Sequence, residues 1–365
     1  MAFKCALRVI PISLALVSAM LAAVLSGPAS GKSLEAALLN DVPTCEPLPD
    51  IQRFLDAANS RPNPLDNLTP GSIVNLRESR DRAALHPLRE IKLKKIEDVQ
   101  VPSEERRIPV RIYVPEDVRL ARGGKLPVVM FIHGGGWTLG SVTSYDSITR
   151  ELSRAIPAIV VSVDYRLAPE HPFPAGFDDA FAALQWIGGH IGEFGGDASR
   201  VAITGDSGGG NLSVAVAMRA RHEGSIRVAQ QILFYPSTNI SSTETQSYKD
   251  FGEGHLLTTR SVESFRDFYL PNVLDRANPY ASPLLAQELK GMPRTLLVTA
   301  GCDPLRDEGY AFAERLEKAG VPVVYRNAPG LIHAFLNFFN QDRAISPYAQ
   351  AVLDYAAHVI RQRFE

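Results

Sequence analysis

A serine stands in a glycine-rich turn where a strand-like run is followed by a helical one. Ser207 lies within Gly-Asp-Ser-Gly-Gly at residues 205–209, after an apolar run at 201–204 and before a helix-forming stretch at 212–221. Small residues around such a serine allow a tight turn that holds the hydroxyl clear of the backbone. The N-terminus of the following helix favours negative charge beside it. Ser207 is therefore a candidate nucleophile, although glycine-serine turns without any chemistry are also common.

Two downstream residues can supply what a serine nucleophile needs. Its hydroxyl requires an imidazole that accepts the proton and a carboxylate that orients the imidazole. Asp303 follows an apolar run at 295–300, and His333 follows a strand-like run and a turn at 328–330. Because the carboxyl ends of parallel strands meet at one edge of a sheet, we expect Ser207, Asp303 and His333 to converge there. The structural alternatives are helix capping by Asp303 and a core position for His333.

A run of three glycines after another apolar strand offers donors for an oxyanion. His-Gly-Gly-Gly-Trp at residues 133–137 follows the fully apolar run 126–132, which suits a buried central strand. Consecutive glycines let the chain turn several N–H groups toward one point. The predicted oxyanion donors are Gly134, Gly135, Gly136 and Gly208. Among them we favour the second and third glycines together with Gly208. The alternative, a phosphate-binding loop, would need a different glycine spacing.

Several short motifs occur in one characteristic order from about residue 125 to the C-terminus. They are HGGGW at 133–137, DYRLAPE at 164–170, FPA at 173–175, GDSGG at 205–209, FYP at 234–236, DPLRDE at 303–308 and IHAF at 332–335. With them the chain resembles the hormone-sensitive-lipase-like group of α/β-hydrolases, the bacterial family IV carboxylesterases. The family usually has alanine at the position of Gly208, and glycine often stands at that of Ala334. The resemblance implies hydrolysis of short- to medium-chain esters without metal or cofactor, under a mostly helical cap.

The charged residues of the segment at 164–170 invite a catalytic interpretation. A structural one is stronger, because the serine mechanism already has its acid and its base. We expect Arg166 to pair with an Asp or Glu near the oxyanion loop and to hold that loop in shape. The predicted structural supports are Asp164, Arg166, Glu170 and Asp206, the last as a brace for the turn that carries Ser207.

The alternation of strand-like and helical stretches predicts an α/β-hydrolase fold with an eight-stranded, mostly parallel sheet and helices on both faces. The strand-like runs lie at 91–99, 108–114, 126–133, 157–163, 200–205, 228–235, 294–300 and 321–327. The first two read as an antiparallel hairpin at the edge of the sheet. A break in the rhythm predicts a mostly helical cap insertion at 237–282, which residues 31–90 complete. The core then covers residues 91–236 and 283–365.

Charge and composition limit the partners. The chain has 365 residues, 45% hydrophobic content, and 38 Lys plus Arg against 40 Asp plus Glu, which indicates an ordinary globular protein. The near-neutral balance offers no basic face for nucleic acid. The resemblance to the family IV carboxylesterases implies a small-molecule ester as partner, and neither cofactor nor metal.

The N-terminus has the pattern of a cleaved secretory signal. Lys4 and Arg8 precede an apolar run at 9–25, and small residues follow at 26–30. We expect residues 1–30 to form the signal segment, with the cut close to its end after Ala29, and the protein to be secreted or periplasmic. The alternative is that this segment is retained as an anchor, and we expect membrane attachment only in that case. The apolar run is slightly short for it, since a span needs about 20 residues.

Cysteine usage gives a second expectation about the compartment. If Cys5 leaves with the signal, Cys45 and Cys302 remain. In an exported protein these two can form a disulfide. The alternative is a pair of buried free thiols.

Two classes of function stay open on the sequence. The first is a serine hydrolase that cleaves carboxylic esters through an acyl-enzyme, with lipase, acetyl esterase and lactonase as variants of the same chemistry. The second is a non-catalytic small-molecule receptor on the same scaffold, as in plant gibberellin receptors, which resemble the family but lack a working triad. The presence of Ser207, Asp303 and His333 together favours the enzyme.

Overall fold

An eight-stranded sheet runs through the computed structural model, which describes residues 38–103 and 105–365. The strands are β1 (Lys95–Pro102), β2 (Arg107–Val114), β3 (Leu126–Ile132), β4 (Ile159–Val163), β5 (Gly196–Asp206), β6 (Val228–Phe234), β7 (Arg294–Cys302) and β8 (Val323–Ile332). They lie in the order β1-β2-β4-β3-β5-β6-β7-β8. Strand β2 is antiparallel to β1 and to β4, and every other pair is parallel. The predicted mostly parallel sheet with an antiparallel edge hairpin is confirmed.

Helices cover both faces of this sheet. They are α1 (Pro49–Asn59), α2 (Pro70–Ala84), α3 (Asp146–Ala155), α4 (Ala175–His190), α5 (Ser207–Glu223), α6 (Gln246–Phe251), α7 (Thr259–Tyr269), α8 (Arg306–Lys318) and α9 (Ser346–Phe364). Helices α4, α5 and α8 bury Phe181, Val216 and Phe312 in the apolar cluster of one face. Helices α3 and α9 bury Leu152 and Leu353 in the cluster of the other. This layering is the usual way to bury a parallel sheet.

Strand β3 is the most deeply buried element next to the site. Every residue of Leu126–Ile132 is buried, and those from Val128 to Ile132 are completely so. A strand covered on both faces needs an unbroken apolar sequence, which the run at 126–132 provides. Its rigid end positions the glycine loop that follows.

Residues from both predicted cap segments form a third apolar cluster above the sheet. Ile73 of α2 packs there with Tyr248 of α6 and Phe265 of α7. Helix α1 differs, because Ile51 and Leu55 join the cluster on the α9 face. The boundaries drawn for cap and core stay a prediction.

The N-terminal segment runs along β8 and is tied to the sheet by a disulfide. Cys45 and Cys302 are bonded, with their Cα atoms 4.9 Å apart. The N–H of Glu46 donates to the carbonyl of Pro329 at 2.8 Å. Residues 328–330 were predicted to form a turn, and this is wrong, because they continue β8 to Ile332. Pro329 is tolerated because it lies between Ala328 and Ile332, where the register of β8 against β7 shifts and the regular ladder is interrupted.

The predicted signal peptide, and the anchor that competes with it, lie outside the described residues. Among the helices of residues 38–103 and 105–365, none combines the length and the apolar character that crossing a membrane requires.

Candidate active site

Ser207 occupies a sharp turn between β5 and α5. Its backbone φ is +53°, a left-handed conformation that residues with a side chain adopt rarely. Gly205 and Gly209 let this turn press against the end of β3. A Cβ at Gly209 would lie 2.1 Å from the carbonyl oxygen of Ile132, and one at Gly205 would lie 2.5 Å from the same atom. Only glycine fits at these two positions, so the turn is fixed and Ser207 lines the cavity above the sheet.

The three predicted catalytic side chains are brought together at one edge of the sheet. Ser207, Asp303 and His333 directly follow the last residues of β5, β7 and β8. His333 Nε2 lies 2.9 Å from Ser207 Oγ, and His333 Nδ1 lies 2.7 Å from Asp303 Oδ2. All three residues are buried, Asp303 completely. This geometry lets the imidazole take a proton from the hydroxyl while the carboxylate holds the ring.

Asp303 serves both of the roles that the sequence left open. Its Oδ1 accepts a hydrogen bond from the N–H of Leu305 at 2.8 Å, a turn contact ahead of α8. Its other oxygen is left for His333. The neighbouring acid Asp307 instead accepts from the N–H of Ser247. The carboxylate is therefore fixed by its own backbone before it orients the imidazole.

Two of the three loop glycines have N–H groups that are free to receive an oxyanion. Gly135 and Gly136 line the cavity with φ angles of +107° and +60°. For their N–H groups and that of Gly208, the structure records no acceptor in the part of the chain that it describes. Gly134 has to be removed from the predicted donors, because its N–H donates to Asp206 Oδ1 at 2.8 Å.

Asp206 braces the nucleophile turn against the glycine loop. Besides the Gly134 bond, its Oδ2 accepts from the Tyr145 hydroxyl at 3.0 Å. Burial raises the pKa of Asp206 to about 6, and the hydrogen bonds from Tyr145 and Gly134 oppose that rise. Asp206 thus holds the glycine loop through the Gly134 N–H, which agrees with the supporting role predicted for it.

Arg166 pairs with an aspartate and a glutamate, as predicted, but these acids lie on α4 and before β2 and not in the oxyanion loop. Arg166 contacts neither Asp164 nor Glu170; its Nη2 lies 2.9 Å from Asp179 Oδ1 on α4. Its Nη1 donates to Glu105 at 2.7 Å. Arg166 therefore fixes α4 to the loop after β4. Asp164 accepts a long hydrogen bond of 3.3 Å from the N–H of Val142.

Glu170 does support the oxyanion loop, through a residue that sequence reasoning missed. Arg77 of α2 donates to both carboxylate oxygens of Glu170 at 2.8 Å. The same guanidinium donates to the carbonyls of Thr138 and Ala168, each at 2.8 Å. One side chain thus joins the cap helix, the end of the glycine loop and the loop after β4.

A cavity of about 360 Å³ opens above Ser207 and His333. Most of its walls are apolar and come from the cap cluster and its neighbours. The apolar side chains are Leu65, Ala83, Ala84, Trp137, Ile240, Leu256, Leu257, Val262, Phe265, Leu305, Ala334 and Phe338. The space suits an apolar chain on a group held at Ser207.

Tyr235 is a further neighbour of the reacting groups. Its ring packs edge-on against the His333 imidazole, with centroids 5.0 Å apart. Its hydroxyl accepts from the N–H of Leu336 at 3.3 Å. It belongs to the Phe-Tyr-Pro motif at 234–236, the one sequence signal that pointed to this position.

Comparisons with known proteins agree with the fold and with the triad geometry described above. A profile of the α/β hydrolase fold matches residues 129–337. The chain is 42% identical to carboxylesterase NlhH of Mycobacterium tuberculosis over 63% of this chain and 72% of that protein. It is 44% identical to the carboxylic ester hydrolase LipN of the same organism over 67% of this chain and 65% of that protein.

Solved structures extend the likeness to most of the chain. An ester hydrolase from the metagenome of Lake Arreo superposes with a TM-score of 0.79 at 36% identity, covering 87% of this chain and 99% of that one. On sequence, fold and motif order, this chain belongs to the α/β-hydrolase family, in its hormone-sensitive-lipase-like group.

Proposed function

We propose that this protein is a serine hydrolase that cleaves short- to medium-chain carboxylic esters. The observation that carries the proposal is the chain of contacts from Ser207 Oγ to His333 Nε2 at 2.9 Å and from His333 Nδ1 to Asp303 Oδ2 at 2.7 Å. An isolated buried histidine would not need a carboxylate on one nitrogen and a strained serine on the other. Relatives named carboxylesterase and carboxylic ester hydrolase support the same reaction.

The proposed reaction passes through an acyl-enzyme. Ser207 Oγ attacks the ester carbonyl carbon while His333 Nε2 takes the hydroxyl proton. The negative oxygen of the tetrahedral intermediate accepts hydrogen bonds from the N–H groups of Gly135, Gly136 and Gly208. When the intermediate collapses, the leaving alcohol takes the proton from His333. A water molecule then attacks the acyl group, with His333 again as base, and releases the acid.

The size and character of the cavity support short to medium acyl chains. A volume of about 360 Å³ lies at the lower end of ordinary ligand sites, and its mostly apolar walls favour hydrocarbon over sugar. Lipase, acetyl esterase and lactonase activities use the same machinery. A series of p-nitrophenyl esters of increasing length separates the first two, and hydrolysis of a lactone tests the third.

Turnover of p-nitrophenyl acetate and butyrate tests the proposal. The Ser207→Ala variant should lose at least about 10⁴-fold in kcat, the order found when a triad member is removed. Ser225→Ala is the matched control, because Ser225 is exposed just after α5. If the wild-type protein binds such esters but does not hydrolyse them, the proposal of an ester hydrolase is overturned. A non-catalytic small-molecule receptor is then favoured.

We further propose that the protein is exported after cleavage behind Ala29, within the N-terminal segment 1–30. The Cys45–Cys302 disulfide supports this, because such bonds persist in oxidising compartments. Mass spectrometry of the mature protein from cell fractions is the test. A mature N-terminus at Ser30 is expected, whereas an intact N-terminus in the membrane fraction would favour the anchor.

A further inference from the structure

Helix α2 presents one side to the cavity above Ser207. Arg80, Ala83 and Ala84 all line that cavity, and their spacing of three and four residues places them on one helix face. Two alanines beside an arginine leave open space next to the guanidinium. Arg80 is thus a charged residue in a largely apolar wall.

Contacts on either side of Arg80 hold α2 in this orientation. Arg77, one turn earlier, is bonded to the carbonyls of Thr138 and Ala168 as well as to Glu170. Asp81, the next residue, accepts a hydrogen bond from the Ser141 hydroxyl at 2.5 Å. Both contacts dock α2 on the segment that follows the glycine loop. The position of Arg80 at the cavity is therefore fixed by its neighbours in the helix.

Arg80 has no carboxylate partner of its own. Within residues 38–103 and 105–365, no Asp or Glu oxygen lies within 4.0 Å of its guanidinium nitrogens, and it makes no hydrogen bond. The other arginine at the cavity, Arg266, pairs with Asp267 at 3.2 Å and with Glu263 at 4.0 Å. Asp206 also lines the cavity, but Gly134 and Tyr145 already occupy its oxygens.

The charge of Arg80 acts on His133 and Tyr145, which lie beside the glycine loop. Burial is the main cause of the lowered pKa of His133, and the Arg80 charge adds to it. Arg80 is partly buried, so water only partly satisfies its guanidinium. A carboxylate placed beside it would make charge-assisted, potentially bidentate hydrogen bonds in a site of low dielectric.

We propose that Arg80 binds a free carboxylate of the substrate, so that the favoured substrates are esters that carry a carboxylate besides the ester group. This inference rests on the proposed ester hydrolysis. A single guanidinium beside two alanines matches one planar carboxylate, whereas a phosphate would call for more donors.

The test compares p-nitrophenyl hydrogen glutarate with p-nitrophenyl valerate. Their acyl chains have equal length, and the glutarate ends in a carboxylate where the valerate ends in a methyl group. The quantity measured is the ratio of kcat/KM for the charged ester to that for the neutral one. Arg80→Gln should lower this ratio by about tenfold or more, the effect of losing one charge-assisted hydrogen bond. Arg80→Lys should retain most of the ratio.

A second substrate pair covers a carboxylate on the alcohol side. It consists of 4-acetoxybenzoate, which carries a free carboxylate, and methyl 4-acetoxybenzoate, in which a methyl group neutralises that carboxylate. The acetyl ester bond to the ring oxygen is the one to be cleaved in both. Arg82→Gln is the matched control, because the Arg82 side chain lies on the same helix, is 67% exposed and pairs with Glu78. It should leave both ratios unchanged.

The outcomes separate this inference from the proposed function. A lower ratio in Arg80→Gln than in the wild type, for either substrate pair, supports carboxylate binding by Arg80. The pair that shows the decrease tells which side of the ester carries the carboxylate. Equal ratios in wild type and Arg80→Gln for both pairs would overturn the inference while ester hydrolysis stands. Absence of turnover of every ester by the wild-type protein would instead overturn the proposed function.

Discussion

Two buried carboxyl groups outside the triad hold the loops around Ser207. Asp206 binds the glycine loop through Gly134. Glu308, in the first turn of α8, accepts from the N–H groups of Thr238 and Asn239 at 2.7 and 3.1 Å. It thereby anchors the start of the cap insertion beside Asp303. The other oxygen of Glu308 has no partner among the described residues.

The Glu308 carboxyl should make stability depend on pH. Burial raises its pKa from the ordinary 4.5 to about 8, against the opposing hydrogen bonds from Thr238 and Asn239. Between these values the unfolded chain releases the proton and the folded protein keeps it, so stability falls as pH rises. Glu308→Gln, which resembles the protonated form, removes this contribution. The Tm of the wild type, relative to that of the variant, should therefore decrease from pH 4.5 to pH 8.

Glu317→Gln provides the control for this measurement, because Glu317 is an exposed residue on the same helix. Its Tm should run parallel to that of the wild type over the whole range. Asp206 is present in the wild type and in both variants, so its contribution to the pH dependence of Tm cancels when the curves are compared. Parallel curves for wild type and Glu308→Gln would contradict a protonated Glu308.

The strand-turn-helix element at Ser207 depends on two neighbouring glycines to very different degrees. A Cβ at Gly209 would lie 2.1 Å from the carbonyl oxygen of Ile132 and 2.4 Å from that of His133. These are backbone atoms at the end of a buried strand and cannot move away. A Cβ at Gly208 would meet the side chain and the backbone nitrogen of Trp137, each at 3.2 Å, a tight contact that a shift of a few tenths of an ångström relieves.

Gly209→Ala should therefore destabilise the protein by about 1–3 kcal/mol or more and strongly reduce ester turnover. Gly208→Ala should be tolerated, because its closest contacts at 3.2 Å need only a small shift. Urea unfolding and turnover of p-nitrophenyl butyrate measure the two effects. If Gly209→Ala were as stable and active as Gly208→Ala, the packing of the turn on β3 would be wrong.

The elements that carry the triad were predictable because each catalytic residue follows an apolar strand. Parallel strands bring their carboxyl ends to one edge whatever the loops do, so Ser207, Asp303 and His333 could be expected to meet. The strand ends were less predictable. Strand β8 extends through 328–330 because residues 46–48 bond to it, and no local pattern in a Pro-Gly sequence reveals such a partner.

Contacts between distant segments account for what the sequence did not reveal at the site. The N–H of Gly134 points to Asp206, 72 residues away in the chain. Arg77 and Glu170 are 93 residues apart. A run of glycines shows that N–H groups can converge, but the acceptor of each depends on which side chains the fold brings near. The same holds for Arg166, whose partner Asp179 lies on a separate helix.

For the molecule as a whole, one covalent bond links segments that are far apart in the chain. Cys45 and Cys302 are separated by 257 residues, and the bond lies next to Asp303. Cross-linking so long a loop restricts the unfolded chain, which typically contributes about 2–4 kcal/mol to stability. Cys45→Ala should lower the free energy of unfolding by this amount.

Thermal unfolding with and without dithiothreitol checks the disulfide. The reductant should lower the Tm of the wild-type protein and leave that of Cys45→Ala unchanged, which makes the variant its own control. A wild-type Tm that does not respond to reduction under unfolding conditions, together with an unaltered Tm in the variant, would contradict a stabilising bond.

Trp137 stacks in parallel on Tyr269, with ring centroids 4.6 Å apart, and provides an intrinsic fluorescence probe beside the reacting groups. The chain has two tryptophans. Trp137 lines the cavity next to the reacting hydroxyl, whereas Trp186 lies on α4 against His190 and is not part of the cavity wall. Acylation changes the surroundings of the first indole and spares the second. Stopped-flow fluorescence can thus follow the enzyme itself through each step, with colourless natural esters and without any label.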